Sequence, residues 1–323
     1  MNICRCQMNI NGYLFDFVNQ IDIESSWDLV TDTAKIVIPK KITYKGKPIV
    51  VGPDSLFKRG DKVTISFGYG SVLHPVFSGY ISAIKPKMPI EITCQDDAYI
   101  LKQEAITRWY PKIKLKDMLK DVLGTLVPFE TNFDLTLTNF RISNATPSQV
   151  LEELRKDYGV VSFFRDGKLY VGFAYLESLR QEVNFDFQNN VVSTDDLEYR
   201  REDDIKIKVK AIGIKGDKGK KRVEVIVGDP EGELRTLNYY NKDEEELTRI
   251  ANEELKKLKY EGYAGNFVAF GEPFVRHSYV AVIKDKKVPE REGKYLIKSV
   301  KYSFGMGGIR QTIELDRKIS GQL

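Results

Sequence analysis

Gly79-Tyr80-Ile81-Ser82-Ala83-Ile84-Lys85 and, far downstream, Gly293-Lys294-Tyr295-Leu296-Ile297-Lys298-Ser299-Val300-Lys301 share one alternating grammar, and they decide how this chain is read. Each is followed by a second alternating run: Ile90-Glu91-Ile92-Thr93-Cys94-Gln95-Asp96 after the first, Gln311-Thr312-Ile313-Glu314-Leu315-Asp316 after the second. A period of two puts successive side chains on opposite faces, so all four runs read as half-buried strands. Each pair also has a strand before it, Asp61-Lys62-Val63-Thr64-Ile65-Ser66-Phe67 in one case and His277-Ser278-Tyr279-Val280-Ala281-Val282-Ile283 in the other. Further upstream, Trp27-Asp28-Leu29 leads through Thr31-Asp32-Thr33-Ala34 into Lys35-Ile36-Val37-Ile38. We match this with Asp195-Asp196-Leu197, which leads through Arg200-Arg201-Glu202-Asp203 into Ile205-Lys206-Ile207-Lys208-Val209. Any one pair could arise by chance between two unrelated β units, but the common order of all four pairs points to an internal duplication.

Composition narrows the class. The 323 residues are 42% hydrophobic and 30% charged, the balance of a folded chain with room for two or three domains. No run approaches the roughly 18 apolar residues that span a bilayer, and Met1 to Ile10 lacks a basic start followed by an apolar block, so neither membrane insertion nor signal-peptide export is expected. Cys4, Cys6 and Cys94 are few and odd in number, and are expected to be free thiols. The 50 basic and 46 acidic residues leave a net charge of +4, which implies no overall drive toward nucleic acid. The basic blocks Lys218 to Arg222 and Lys284 to Lys287 contain no interleaved aromatics and read as solvated hairpin tips.

From Ile10 to about Leu101 short strands are separated by turn residues: Asn11-Gly12, Lys45-Gly46-Lys47 and Gly68-Tyr69-Gly70. The period changes between Pro111 and Phe173. Leu115, Met118, Leu119, Val122, Leu123 and Leu126 predict a helix interrupted near Gly124. A second helix is predicted from Thr146 as cap, Pro147 in the first turn, Gln149 closing a capping box, a stripe of Val150, Leu151 and Leu154, and Gly159 at the end. Arg165-Asp166-Gly167 then joins two strands of a hairpin. A third helix, about 241–260, is capped by Asn241 or Asp243, begins with Glu244 to Glu246, carries Leu247, Ile250, Ala251, Leu255 and Leu258 on its apolar face, and precedes Gly262.

The expected fold class is therefore mainly β with an α+β insert: two similar small β-barrel modules flanking a middle unit of two helices plus a hairpin. The expected units are 1–105, 106–180 and 181–323, the last carrying the inserted helix.

Sites of chemistry are sparse. His74 and His277 stand in roughly equivalent hairpin contexts without a second His or a Cys at ligand spacing, and Cys4-x-Cys6 is too short for a zinc knuckle. Gly305-Met306-Gly307-Gly308 lies between strands and opens no helix, so it reads as a turn and not a phosphate loop. Asp96-Asp97, Asp195-Asp196 and Asp203-Asp204 could suggest a glycosidase, but each sits at a strand end or turn, and neighbours on a strand point to opposite faces. No catalytic, cofactor-binding or metal-ligating residue is assigned, and no cofactor is expected.

In this order of elements the chain resembles the central baseplate hub of contractile phage tails, the late control protein D family, which is itself similar to the N-terminal hub region of type VI secretion spike proteins. The resemblance is carried by Arg59-Gly60-Asp61-Lys62-Val63-Thr64-Ile65-Ser66-Phe67-Gly68-Tyr69 with Val76-Phe77-Ser78-Gly79-Tyr80-Ile81, and by Thr146-Pro147-Ser148-Gln149-Val150-Leu151-Glu152-Glu153-Leu154 with Tyr158-Gly159 and Gly167-Lys168-Leu169-Tyr170-Val171. The run from Gly293 to Val300 and Thr312-Ile313-Glu314-Leu315 completes it, covering nearly the whole chain.

The resemblance implies a structural, non-enzymatic protein of the virion tail baseplate, assembled in the bacterial host cytoplasm. It implies a homotrimer whose six modules form a hollow ring between a six-fold tail tube and a three-fold spike. The implied partners are the trimeric spike, tail tube and baseplate proteins, and a tape-measure protein; neither sequence-specific nucleic acid nor membrane is among them. Because the sequence ends at Leu323, soon after the last strand, the spike is expected to be a separate polypeptide. Two other readings are a carbohydrate-binding or adhesin module at the tail tip, suggested by 17 Tyr and 17 Phe, and a peptidoglycan hydrolase.

Overall fold

The computed structural model describes residues 3–44, 47–51, 56–175, 177–215, 221–240 and 243–319. The fold is mainly β with a small α-containing insert, and one fourteen-stranded sheet runs through both ends of the sequence. In the first module the neighbours run Gln20–Ser26, Thr33–Ile38, Ile90–Gln95, Val72–Lys85, Lys62–Tyr69, Cys4–Ile10 and Tyr13–Phe15, each antiparallel to the next. In the second, Val191–Ser193 and Leu197–Arg200 both flank Gly262–Phe270, followed by Gly308–Lys318, Gly293–Gly305, Val280–Lys284 and Glu182–Asp186. The modules do not merely abut. Gln20–Ser26 pairs with Gly293–Gly305, Ile21 opposite Phe304 and Ser26 opposite Ser299, so the sheet crosses the seam without a break.

The alternation read from the sequence becomes the core. Val63, Ile65, Ile90, Ile92 and Cys94 face inward, as do Ile297, Val300, Ile309 and Ile313, and both sets belong to one hydrophobic cluster. Each such side chain contributes on the order of 1.5–3 kcal/mol on burial, and the shared cluster makes seam formation part of folding.

The two modules repeat in detail. The Val72–Lys85 ladder slips by one residue between Ile81 and Ala83, and that of Gly293–Gly305 slips between Ile297 and Ser299. Aligned on this bulge, Ile84 corresponds to Val300, Lys85 to Lys301 and Ile92 to Ile313, the pairing read from the sequence. One proposed pairing is corrected. The counterpart of Lys35-Ile36-Val37-Ile38 is not Ile205–Val209 but Gly262–Phe270, since Ile36 faces Ile92 as Phe267 faces Ile313. The strand Ile207–Lys215 instead lies between Lys221–Gly228 and Glu233–Tyr240 in a separate three-stranded sheet. Alternation alone cannot separate these candidates, because both strands carry it.

Two helices belong to the middle unit. Helix α1, Leu115–Leu123, ends at Gly124 with positive φ, and Leu126 falls beyond it as an exposed side chain rather than on its buried stripe. Helix α2, Pro147–Tyr158, has the capping box of Thr146 and Gln149, and Gly159 ends it in the left-handed conformation. Both pack with Leu137, Phe140, Ile142, Phe164, Leu169 and Val171 in a second core that also takes in Val30, Ala98 and Leu101 of the first module. The Asp166-Gly167 turn, φ 52° and 78°, joins Val161–Arg165 to Lys168–Gly172, and Asn11-Gly12, φ 49° and 88°, joins the first two strands.

The elaboration of the second module is larger than one helix. Helix α3, Glu244–Leu258, is capped by Asp243 with Glu246 and lies on the separate three-stranded sheet, burying Leu247 and Ala251 against Val209 and Ala211. The Asn241 cap, residues 45 and 46 of the Lys45-Gly46-Lys47 turn, and Lys218 to Lys220 of the basic block lie outside the described residues.

Candidate functional site at the junction of the three units

The loops between repeated strands bring together charged groups that are distant in sequence. Asp32 enters the junction just before Thr33–Ile38, where its carboxylate accepts from Ser25 Oγ at 2.5 Å and from the Ser26 N–H at 3.1 Å. Asp96 follows Ile90–Gln95: its N–H donates to the Asp32 carbonyl at 3.0 Å, and its Oδ1 accepts from the Ala98 N–H at 3.1 Å, capping a short 3₁₀ turn. Its Oδ2 is buried, and no donor among the described residues reaches it. Burial lifts the Asp32 carboxyl to about 6, despite the hydrogen bonds from Ser25 and Ser26 and the attraction of Arg165. Burial, then repulsion from Asp32, raises Asp96 well above the usual carboxylate range.

The middle unit contributes its hairpin tip. Arg165 is buried and donates from Nη2 to the His277 carbonyl at 2.9 Å, and the Phe163 and His277 rings meet edge-on at 4.9 Å. Arg276, from the second module, donates to Asp166 Oδ1 at 2.9 Å and to the Pro75 carbonyl at 3.1 Å, so one guanidinium binds all three units. Burial, followed by the charges of Arg165 and Arg276, holds the His277 imidazole well below its usual range and hence neutral. Between these groups lies a cavity of about 320 Å³, bordered by Asp32, Lys62, Asp96, Asp97, Arg165 and Arg276.

A second clasp involves α2 itself. Trp27 Nε1 donates to Tyr175 Oη at 2.9 Å, Tyr175 donates to Asp316 Oδ2 at 2.9 Å, and Arg155 of α2 reaches the carbonyl and carboxylate of Asp28. Partly buried polar groups of this kind hold a geometry because each loses some of its water on assembly and gains a fixed partner in exchange.

The residues singled out from sequence fall differently from expectation in two places. Asp96 and Asp97 border one cavity, because the chain leaves the strand for a 3₁₀ turn between them, and Asp97 lies 3.6 Å from Lys62 Nζ. His74 and His277 are not counterparts. Ser278 occupies the place of Gly60, which puts His277 in the place of Arg59, whereas His74 pairs with Phe67, contacts Glu272 at 2.6 Å and stacks on Phe274. Asp195 accepts from Ser193 Oγ, Asp203 and Asp204 are exposed in a short 3₁₀ turn, and Gly305 to Gly308 close a hairpin. All three cysteines are free, and burial pushes the Cys6 and Cys94 thiols up to about 12. Among the described residues no cluster of three or more His, Cys, Asp or Glu could hold a metal ion, and no helix is long and apolar enough to cross a membrane. Asp32, Arg165 and Arg276 carried no sequence signal of their own.

No protein-family model matches the chain, and no curated protein matches it in sequence. Solved structures do match, over almost the full length. The 43 kDa tail protein of prophage MuSo2 from Shewanella oneidensis is 18% identical with a TM-score of 0.67, covering 97% of this chain and 98% of that one. A tail protein from Neisseria meningitidis MC58 is 15% identical with a TM-score of 0.70, covering 97% and 96%. The E. coli c3393 protein, described as a component of the type VI secretion system with structural similarity to the T4 tail proteins gp27 and gp5, is 11% identical with a TM-score of 0.63, covering 97% and 77%. The chain thus has the fold of prophage tail proteins and of a type VI secretion component similar to gp27 and gp5. The resemblance drawn from its sequence holds at the level of the fold.

Proposed function

We propose that this chain is a structural hub of a contractile phage tail baseplate or a related injection machine. Three copies form a hollow ring that adapts a six-fold tail tube to a three-fold spike. One observation carries the reading: two modules with the same strand order, bulge and register lie side by side in one sheet, so one chain supplies two similar sixths of a ring. The fold shared with prophage tail proteins supports the same reading. The units are residues 1–105, 106–180 and 181–323, and the charged junction fixes the middle unit against both modules. The role is structural rather than enzymatic. The carboxylates of the junction serve as latches, and the partners are a trimeric spike and tail tube proteins, in the virion, after assembly in the host cytoplasm.

Electron microscopy of the purified chain, with sedimentation at high concentration, tests this. The expected particle is a three-chain ring whose end view approaches six-fold symmetry. A monomer at every concentration, with or without a spike protein, overturns it.

A further inference from the structure

In the middle unit, Ile106–Lys114 and Thr136–Ala145 form a two-stranded antiparallel ribbon. One side of it closes the second core: Leu137 and Phe140 are buried there, and Ile113 and Tyr110, which stand opposite them, pack against the same cluster. Its other side is open. Trp109 stands opposite Arg141, Lys112 opposite Thr138 and Lys114 opposite Thr136, and all six are exposed. The two strands together carry four cations and no carboxylate, with Glu104 and Asp134 lying just outside their ends. Arg108 is paired with Asp121 of α1 at 3.2 Å, and that carboxylate also accepts from the Tyr110 hydroxyl. Lys112, Lys114 and Arg141 have no ion-pair partner among the described residues. Trp109 is 59% exposed, and its Nε1 donates to Asn139 Oδ1 at 3.1 Å, which holds the indole on the surface by its polar edge.

We propose that this ribbon is a track for single-stranded nucleic acid, bound without base-specific contacts. Lys112, Lys114 and Arg141 take backbone phosphates, and Trp109 stacks on an unpaired base beside them. Cations interleaved with an exposed aromatic are the combination that such strands require, and Arg108-Trp109-Tyr110-Pro111-Lys112-Ile113-Lys114 has it where the basic blocks at Lys218 and Lys284 do not. Directly opposite side chains of an antiparallel pair start about 4.5–5.5 Å apart at Cβ, so the Arg141 guanidinium can reach a phosphate next to the base that Trp109 holds. At about 3.3 Å per residue the strand offers a track of roughly 30 Å. A duplex keeps its bases stacked inside and gives the indole nothing to cover. An anionic membrane surface calls for several apolar side chains to enter it, and Trp109 is the one large hydrophobic side chain exposed on these two strands. Acidic side chains of a protein would satisfy the cations and leave the indole without a planar partner. The track is a property of the middle unit alone and does not depend on the hub reading.

The test is fluorescence anisotropy of a labelled oligothymidylate titrated with the full chain. Binding with a dissociation constant on the order of 10 μM at low salt is expected, and log K should fall against log salt with a slope of about −2, the value for three phosphates neutralised on a single strand. Lys112→Glu with Lys114→Glu should weaken binding roughly tenfold or more. The control is Lys286→Glu with Lys287→Glu, two exposed lysines elsewhere whose reversal changes the net charge by the same amount and should leave binding as it was. Trp109→Ala should cost roughly fivefold or more, and the oligothymidylate should quench indole fluorescence in the parent chain but not in Trp109→Phe beyond what Trp27 contributes. All these positions are exposed, so urea midpoints should match the parent's. No binding at low salt overturns the proposal, and so does an equal loss in the two lysine pairs, which would mean attraction by net charge alone. A duplex or polyglutamate that competes as well as the single strand, with Trp109→Ala unchanged, overturns it in favour of a general anion surface. Binding to phosphatidylglycerol vesicles and not to the oligothymidylate overturns it in favour of a membrane.

Discussion

Gly60 and Ser278 hold the same left-handed backbone, φ 90° and 65°, at the same point of the two modules. Each donates its N–H to the carbonyl of the bulged strand beside it, Ile81 or Ile297, at 2.8 Å. The next residue, Asp61 or Tyr279, accepts the N–H of that same isoleucine at 2.9 Å. Ser278 is fully buried and donates through Oγ to the Ala174 carbonyl, which offsets a conformation that costs a non-glycine residue about 1–2 kcal/mol. Ser278→Gly loses the hydrogen bond but relieves the backbone, and should change stability by less than about 1 kcal/mol. Ser278→Ala loses the bond and keeps the strain, and should be the more damaging. Urea midpoints of the two variants check the order.

The junction makes stability depend on pH in two opposed ways. Asp32 releases its proton near 6 in the folded chain but near 3.8 when unfolded, so its contribution is greatest below about pH 4 and is lost as pH rises through 6. His277, held neutral when folded, acts in reverse: its contribution is present above about pH 6.5 and is lost on acidification. Asp32→Asn preserves an acceptor for Ser26 and removes the buried charge. It should stabilise the protein at pH 8 by on the order of 2 kcal/mol and have little effect at pH 4. Denaturation curves between pH 4 and 8 measure the difference; an advantage that grows on acidification contradicts it.

Gln311 is a buried amide with three partners, accepting from the Val275 N–H at 3.0 Å and donating to the Phe270 and Pro273 carbonyls at 2.8 and 2.9 Å. Gln311→Met keeps the volume and orphans all three main-chain groups. A loss of roughly 2–4 kcal/mol is expected, seen as a lower melting temperature with no change in the far-ultraviolet spectrum of what remains folded.

Gly79 lies where two strands approach closely: a Cβ there would stand 2.1 Å from the Gln95 carbonyl oxygen and 2.7 Å from Asp96 Cα. Both are backbone atoms and cannot rotate away. Gly79→Ala should therefore destabilise by more than about 2 kcal/mol and displace Asp96 from the junction, with a shift in the pH profile that reports the second effect.

Much of this architecture was legible because it is local. Thr146, Pro147, Gln149 and Gly159 define α2 through contacts within a few residues, and Asp166-Gly167 defines its hairpin in the same way. The repeat was legible where the strands are consecutive, as in Val72–Lys85 with Ile90–Gln95. It was lost at Gly262–Phe270, which the three-stranded sheet and α3 separate from its neighbour Leu197–Arg200. The junction was illegible for a related reason. Asp32, Arg165 and Arg276 meet only after all three units have folded, and no spacing in the chain announces an encounter of that kind.

One asymmetry between the modules bears on how such a chain avoids confusing itself. The wall strand Cys4–Ile10 runs antiparallel to its neighbour, whereas Glu182–Asp186 runs parallel to Val280–Lys284. The two ladders consequently differ in the spacing and slant of their hydrogen bonds, so one strand could take the other's place only by reversing its direction. For twin halves within one polypeptide, or in adjacent nascent chains, a trade of these strands would thereby demand that the incoming segment be turned end for end.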